Sequence, residues 1–326
     1  MSDWRYWLAR NRPTLLAFVF FVAMFAVYAS NHPAGFSANV VETAANKGAL
    51  LALVAMAQTL AVITAGIDLS VGAVFVLSNC LASAIVVGTA GSAALGVVGV
   101  LAAGLACGAL NGLIVVFGRL QPIVTTIATG AVFLGLALLL RPTPGGDVYG
   151  PLADAMTGRV LGVLPASLVA LAAVVLVVWG PYAASPIGRA AYAVGSSEPA
   201  AYMSGVPVAR AKFVAYVLAG LLASIGGLFL TFVTYSGEAS AGTAGSYTLF
   251  SIAAAVLGGV SLYGGSGGAI GAIFGALMFR TIGDLMFVFN LDPLWQPLFQ
   301  GVVLLAAVSL GAARLFQVKN RLELFP

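Results

Sequence analysis

The chain has 326 residues, 61% of them hydrophobic and 7% charged, with a mean hydropathy of +1.07 and a formal net charge of +4. So few polar residues cannot cover a core in water, which excludes an ordinary soluble globular protein. Cys80 and Cys107, the two cysteines, both fall in apolar runs, which argues against a structural disulfide or a metal site and for small apolar fillers.

A bilayer-spanning helix takes about 20 mostly apolar residues. Ten such runs can be placed, at 14–30, 47–65, 69–88, 93–117, 122–140, 163–183, 212–234, 246–262, 268–288 and 294–311. They leave no stretch long enough for a separate soluble domain. The expected fold is therefore all-α, one polytopic membrane domain over 1–326 with about ten transmembrane helices. The first run, preceded by Arg5, Arg10 and Arg12, has the outline of a signal peptide, but the spans that follow favour an uncleaved helix. His32, the single histidine, sits beside Pro33 just past that run and reads as an interfacial loop residue.

Between the second and third runs lie only Gly66, Ile67 and Asp68, so the chain either reverses there or continues as one broken helix; Gly264 to Gly267 pose the same choice. Cytoplasmic loops accumulate Lys and Arg. With the N-terminus inside and both breaks as hairpins, the inside receives Arg5, Arg10, Arg12, Arg119, Arg189, Arg210, Lys212, Arg314, Lys319 and Arg321, ten residues against Lys47, Arg141 and Arg159 outside. Broken single spans give eight against five. The hairpin reading fits better, placing both termini and the 184–211 loop in the cytoplasm and the 141–162 loop outside, where Asp147 and Asp154 balance its two arginines. The two breaks share G-x-x-L-x-x-G, at 66–72 and 259–265. Such paired interruptions are what transporters with internal repeats show, so a duplication stands as one reading.

Asp68 can accept hydrogen bonds from the amides of Ser70 or Val71 and oppose the positive end of the following helix. Alternatively it belongs, with Gly66 and Ser70, to a moving turn or to the translocation path, as intramembrane acids often do. Gly104, Gly108 and Gly112, like Gly271 and Gly275, recur every four residues, the spacing that lets helix backbones approach closely in lipid, within the chain or across a dimer. In the 184–211 loop, Ser197 suits an N-cap, Glu198 and Pro199 a first turn and Gly205 a stop, giving one short helix that is either a surface linker or a docking element. The glycines of 264–271 lack the Lys and Ser/Thr of a phosphate-binding loop, and no other stretch fits one. Arg280 and Asp284, one turn apart in the ninth run, can neutralise each other on one face, as a structural pair, as path-lining residues or at a subunit contact.

Taken together, AGIDLSVG (65–72), GRAAYAVGSSEPAAYMSGV (188–206) and AVLGGVSLYGGSGGAIGAIFGAL (255–277) resemble three segments of the membrane permease subunits of bacterial ABC importers for monosaccharides, the ribose/xylose type. The likeness covers most of the chain, from about Asn39 to Leu310. It implies a non-enzymatic transporter subunit of the bacterial inner membrane, with no cofactor of its own and no nucleic-acid partner. ATP and magnesium would be held by a cytoplasmic ATPase that docks on a coupling segment, with Glu198, Ala200, Ala201 and Gly205 at the matching positions. A periplasmic sugar-binding protein would deliver substrate, and a second permease would complete a homodimer or heterodimer. Pro199, Arg280 and Asp284 depart from the pattern. A branched-chain amino-acid or nucleoside permease shares the architecture, and an ion-coupled secondary transporter using Asp68 or Asp284 is the alternative from another class.

Overall fold

The computed structural model describes residues 3–306 and 309, and of residues 3–10 the backbone alone. Among these the chain is mostly helical. In order, the elements are α1 (Asp3–Asn31), α2 (Ala38–Ile63), α3 (Val71–Ile85), α4 (Ala90–Gly112), α5 (Pro122–Leu140) and α6 (Gly150–Thr157). A two-residue antiparallel ribbon, β1 (Arg159–Val160) with β2 (Leu164–Pro165), precedes α7 (Ala166–Val174). Then come α8 (Gly180–Ala184), α9 (Pro186–Ser196), α10 (Glu198–Met203), α11 (Val208–Thr234), α12 (Ala241–Leu257) and α13 (Ala269–Val288). Wide π turns at Leu113–Phe117 and Val175–Trp179 extend α4 and join α7 to α8. The starts follow local chemistry: Ser37 and Ser240 accept hydrogen bonds from Val40 and Thr243 amides, Thr89 and Ser92 form a capping box, and Pro122 opens α5.

Among the described residues seven helices are long and apolar enough to cross a membrane, fewer than the ten runs expected. The third and eighth runs fold as α3 and α12, only 15 and 17 residues long. The tenth run is helical over 296–306; its end, together with Arg314, Lys319 and Arg321, lies outside the described residues. The two long loops also hold more structure than expected, α6 and β1 in 141–162 and two helices rather than one in 184–211.

The loops gather at two ends. At one, the Gly265 amide donates to the Ile63 carbonyl at 3.0 Å, the Tyr192 hydroxyl donates to the Gly267 carbonyl at 2.8 Å, and Pro13 abuts Gly259. Both glycine breaks, the 184–211 segment and the Pro13 turn of α1 therefore lie together. At the other, Arg159 pairs with Glu42, Asn46 donates to the Thr157 carbonyl at 2.7 Å, and Gly145 and Gly237 exchange backbone bonds. Asp154 there accepts from the Tyr235 hydroxyl and Arg141 donates to Ser83, so the aspartates balance the arginines of 141–162 in net charge and not in ion pairs.

The glycine rows are seams within the chain. A Cβ on Gly108 would lie 2.3 Å from the Tyr216 carbonyl oxygen, and one on Gly220 2.2 Å from that of Gly104, so α4 and α11 run antiparallel at backbone contact. Gly275 meets Ala254 and Gly271 meets Gly258 in the same way, making α12 and α13 an antiparallel hairpin.

Candidate functional site

The chain reverses after α2, by a turn that re-enters the apolar layer rather than by a tight hairpin. Ala65 takes φ +60° and the Gly66 amide returns to the Ala61 carbonyl at 3.1 Å, which ends α2. Residues 66–70 then run back inward. The Leu69 amide donates to Thr126 Oγ1 at 2.9 Å, and Ser70 packs on Gly130, eight residues into α5. At 1.5 Å per residue that is about 12 Å from the start of α5. Helix α3 therefore begins inside the apolar layer and has only the remainder of it to cross, which accounts for its shortness.

Asp68 sits in this deep turn with 2% of its surface exposed. Its Oδ1 accepts from the Ser70 amide at 2.8 Å and the Ser70 hydroxyl at 2.6 Å. The amide bond is the one expected, but Ser70, not Asp68, is the residue before α3, so the carboxylate closes a local turn ahead of the helix. Ser70 Oγ accepts from Asn111 Nδ2 of α4 at 2.7 Å, and Asn111 Oδ1 accepts from the Thr129 hydroxyl of α5 at 2.6 Å. The Gln58 amide of α2, oriented by its partners, donates to the Asp68 carbonyl at 2.8 Å and accepts from its N–H at 3.3 Å. Four elements thus converge on one buried polar chain. Beyond it the Gly72 amide donates to Thr248 Oγ1 of α12 at 3.1 Å, and a cavity of about 280 Å³ opens between Leu69, Ala73, Gly130, Ala244 and Thr248. Gln58, Asn111, Thr126, Thr129 and Thr248 were not singled out from sequence; the signal was two amides and three hydroxyls in or beside apolar runs.

The 184–211 segment forms α9 and α10 in succession. Ser185 accepts from the Gly188 amide at 2.9 Å and Pro186 opens α9, a start signal that sequence reasoning passed over. As expected, Ser197 caps α10, accepting from the Ala200 amide at 3.4 Å. Gly205, at φ +75°, ends it with bonds from its own amide to the Tyr202 carbonyl and from the Val206 amide to that of Ala201, both 3.0 Å. Ala201 faces inward at 5% exposure, while Glu198 and Ala200 face out and Tyr202 and Met203 are 75% and 83% exposed. Glu198 pairs with Lys212 of α11, pinning the helix to a long span. Beside it a groove of about 840 Å³ carries Arg119, Arg210 and Lys212.

Arg280 and Asp284 do not form the ion pair that their spacing allows. Asp284 instead meets Lys47 of α2, Nζ to Oδ1 at 3.5 Å, and Arg280 Nε is buried without a hydrogen-bond partner. Both line an apolar cavity of about 350 Å³ between α1, α2, α7 and α13. That cavity shares no wall with the one at Thr248, so Asp68 and the Arg280/Asp284 region are separate places.

No solved structure matches the chain. Among proteins of known name, it is 38% identical to the ribose import permease protein RbsC of Bacillus subtilis over 80% of this chain and 81% of that one. With the protein of the same name from Escherichia coli strain K12 it shares 32% identity over 93% of each chain. The D-allose transport system permease protein AlsC of the same strain is 29% identical over 79% of this chain and 78% of its own. A family model matches residues 40–308, an interval that takes in the deep turn, both loop helices and the glycine seams alike. The chain belongs to the family that this model describes, "Branched-chain amino acid transport system / permease component".

Proposed function

We propose that this chain is the membrane permease subunit of an ATP-binding-cassette importer and carries a monosaccharide across the inner membrane of a bacterium. The observation that carries the reading is α10, a six-residue helix capped at both ends, tied to α11 through Glu198 and Lys212, and presenting Tyr202 and Met203 outward. A helix so firmly held and so openly apolar at its tip suits docking better than linking. Relatives named for ribose and allose favour a sugar, whereas the family description names branched-chain amino acids.

On this reading residues 1–326 form one membrane domain, with 184–211 as the cytoplasmic coupling loop and Glu198, Ala200, Ala201 and Gly205 as its coupling residues. The end with α10 is cytoplasmic, supported by Arg119, Arg189, Arg210 and Lys212 there against Lys47, Arg141 and Arg159 toward the other. Pro13, where the apolar part of α1 begins, lies at the same end, which supports a cytoplasmic N-terminus. With α3, α12 and the helix from 296 completing partial or full crossings, the chain makes about ten passes and returns its C-terminus to the same side. ATP and magnesium belong to a cytoplasmic ATPase, substrate arrives from a periplasmic sugar-binding protein, and a second permease, identical or a sister chain, completes the pathway. Gly66, Asp68 and Ser70 shape that pathway at the deep turn, and Arg280 and Asp284 support it from the α13 side.

Co-purification followed by reconstitution in liposomes tests the proposal. Recovery of an ATPase that is lost when Glu198 and Ala201 are both changed to Arg, with ATP-dependent uptake of ribose but not leucine, supports it. Leucine uptake would transfer the chain to the amino-acid branch. Uptake without ATP that a proton ionophore abolishes would identify a secondary transporter.

A further inference from the structure

Three chain segments that are far apart in sequence touch through bare backbone at the α10 end. A Cβ on Gly195, in the last turn of α9, would lie 1.8 Å from the Ile63 carbonyl oxygen and 2.5 Å from the Gly265 nitrogen, the two atoms that share the 3.0 Å hydrogen bond. A Cβ on Gly264 would lie 2.8 Å from both the Ala65 nitrogen and the Gly195 carbonyl oxygen. No side chain cushions these contacts, and interiors packed to this density pass displacement on rather than absorb it.

Each partner leads to one of the two short helices. Ile63 runs through Gly66 to Asp68 and Ser70 and so to the deep N-terminus of α3, where Gln58 and Asn111 grip the turn. The segment 258–268 is the C-terminal anchor of α12, and the Tyr192 hydroxyl of α9 holds its Gly267 carbonyl at 2.8 Å. The N-terminus of α3 and the middle of α12 meet again where Gly72 donates to Thr248, beside the 280 Å³ cavity. One junction at α9 thus commands both helices that stop short of a full crossing.

We infer that the Gly195–Ile63–Gly265 junction is the transmission element of the transporter, and that Gly195 and Tyr192 are positioning residues that convert displacement of α9 and α10 into joint movement of α3 and α12. The inference rests on 184–211 being the coupling segment. It places the linkage in backbone contacts behind the docking helix and assigns the short helices as the parts that move.

Two experiments separate it from the reading on which it rests. In the assembled importer in liposomes, Gly195→Ala keeps ATP hydrolysis within about twofold while sugar moved per ATP falls about tenfold or more; a wild-type ratio would overturn the inference. Should that variant fail to reach the membrane, Tyr192→Phe adds no atom and is expected to lower the ratio about threefold, with no change again counting against it. In the purified chain alone, Tyr192→Phe should speed amide hydrogen exchange about tenfold across 64–72 and 258–268 and leave the α4–α11 seam unchanged. Unaltered exchange in both segments overturns the junction without any ATPase or sugar present. A wild-type importer that shows no ATP-dependent uptake would instead sink the proposed function and leave the exchange result standing.

Discussion

Lys47 of α2 reaches Asp284 of α13, Nζ to Oδ1 at 3.5 Å, and leaves Arg280, one turn before Asp284 on its own helix, outside the pair. Removing Asp284 therefore strips Lys47 of its partner and leaves two cations near one apolar cavity. A double-mutant cycle on Lys47→Met and Asp284→Asn should give a coupling of about 1 kcal/mol, since Lys47 is half-exposed and Asp284 is nearly buried. Thermal unfolding in detergent reads it. The same cycle on Arg280→Met and Asp284→Asn should give a markedly smaller coupling; a larger one would show that the helical pair is formed after all.

The Asp68 carboxylate accepts from the Ser70 amide and the Ser70 hydroxyl on a single oxygen. Asn keeps that acceptor and loses the charge, whereas Ala loses both. Asp68→Asn is accordingly expected to change stability by less than about 1 kcal/mol, and Asp68→Ala to lower it by about 2–3 kcal/mol because the Ser70 amide and hydroxyl then lose their acceptor in a buried site. Uptake measured on the same preparations decides between the two roles of this acid. Full uptake by the Asn variant makes it a structural closure of the turn. Loss of uptake at undiminished stability makes the charge itself part of the path.

At Gly205 the surroundings are open, with nothing within 4 Å of a Cβ, so a substitution meets only the backbone strain of φ +75°. Gly205→Asn should be nearly neutral and Gly205→Val should cost about 1–2 kcal/mol in the α10 stop. On the proposed function Gly205→Val reaches the membrane at a normal level and transports poorly. Surface-exposed chain is scored by protease protection, and wild-type uptake by this variant would remove α10 from the coupling role.

Local chemistry made part of this molecule legible from sequence. Ser197, Pro199 and Gly205 define α10 within ten residues, and the four-residue glycine spacing announces its seams because close helix approach needs it wherever the partner lies. Helix α9 carried an equally readable Ser185–Pro186 start that the loop composition obscured. What stayed hidden depends on distant partners. Lys47 and Asp284 are 237 positions apart, and the 3.6-residue period favoured Arg280 instead. The shortness of α3 was hidden for the same reason. Leu69 and Ser70 look like the start of a span until Thr126 and Gly130 hold them about eight residues deep along α5. Hydropathy reports which residues leave water and says nothing of the depth at which a helix begins.

The α4–α11 seam supplies the severest test of the packing. Gly108 faces the Tyr216 carbonyl oxygen across a gap that a Cβ would close to 2.3 Å, and the obstacle is helix backbone, which cannot rotate away as a side chain can. Gly108→Ala is expected to destabilise by about 1–3 kcal/mol and Gly108→Leu by more, forcing the two helices apart. Gly91, on the same helix, has only the Thr89 hydroxyl near it, at 4.0 Å, and Gly91→Ala there should be neutral or slightly stabilising through helix propensity. Detergent-solubilised midpoint temperatures for the three variants give the comparison. Equal effects at 91 and 108 would mean that the seam opens freely, and α11 could then not serve as the fixed post to which Lys212 ties α10.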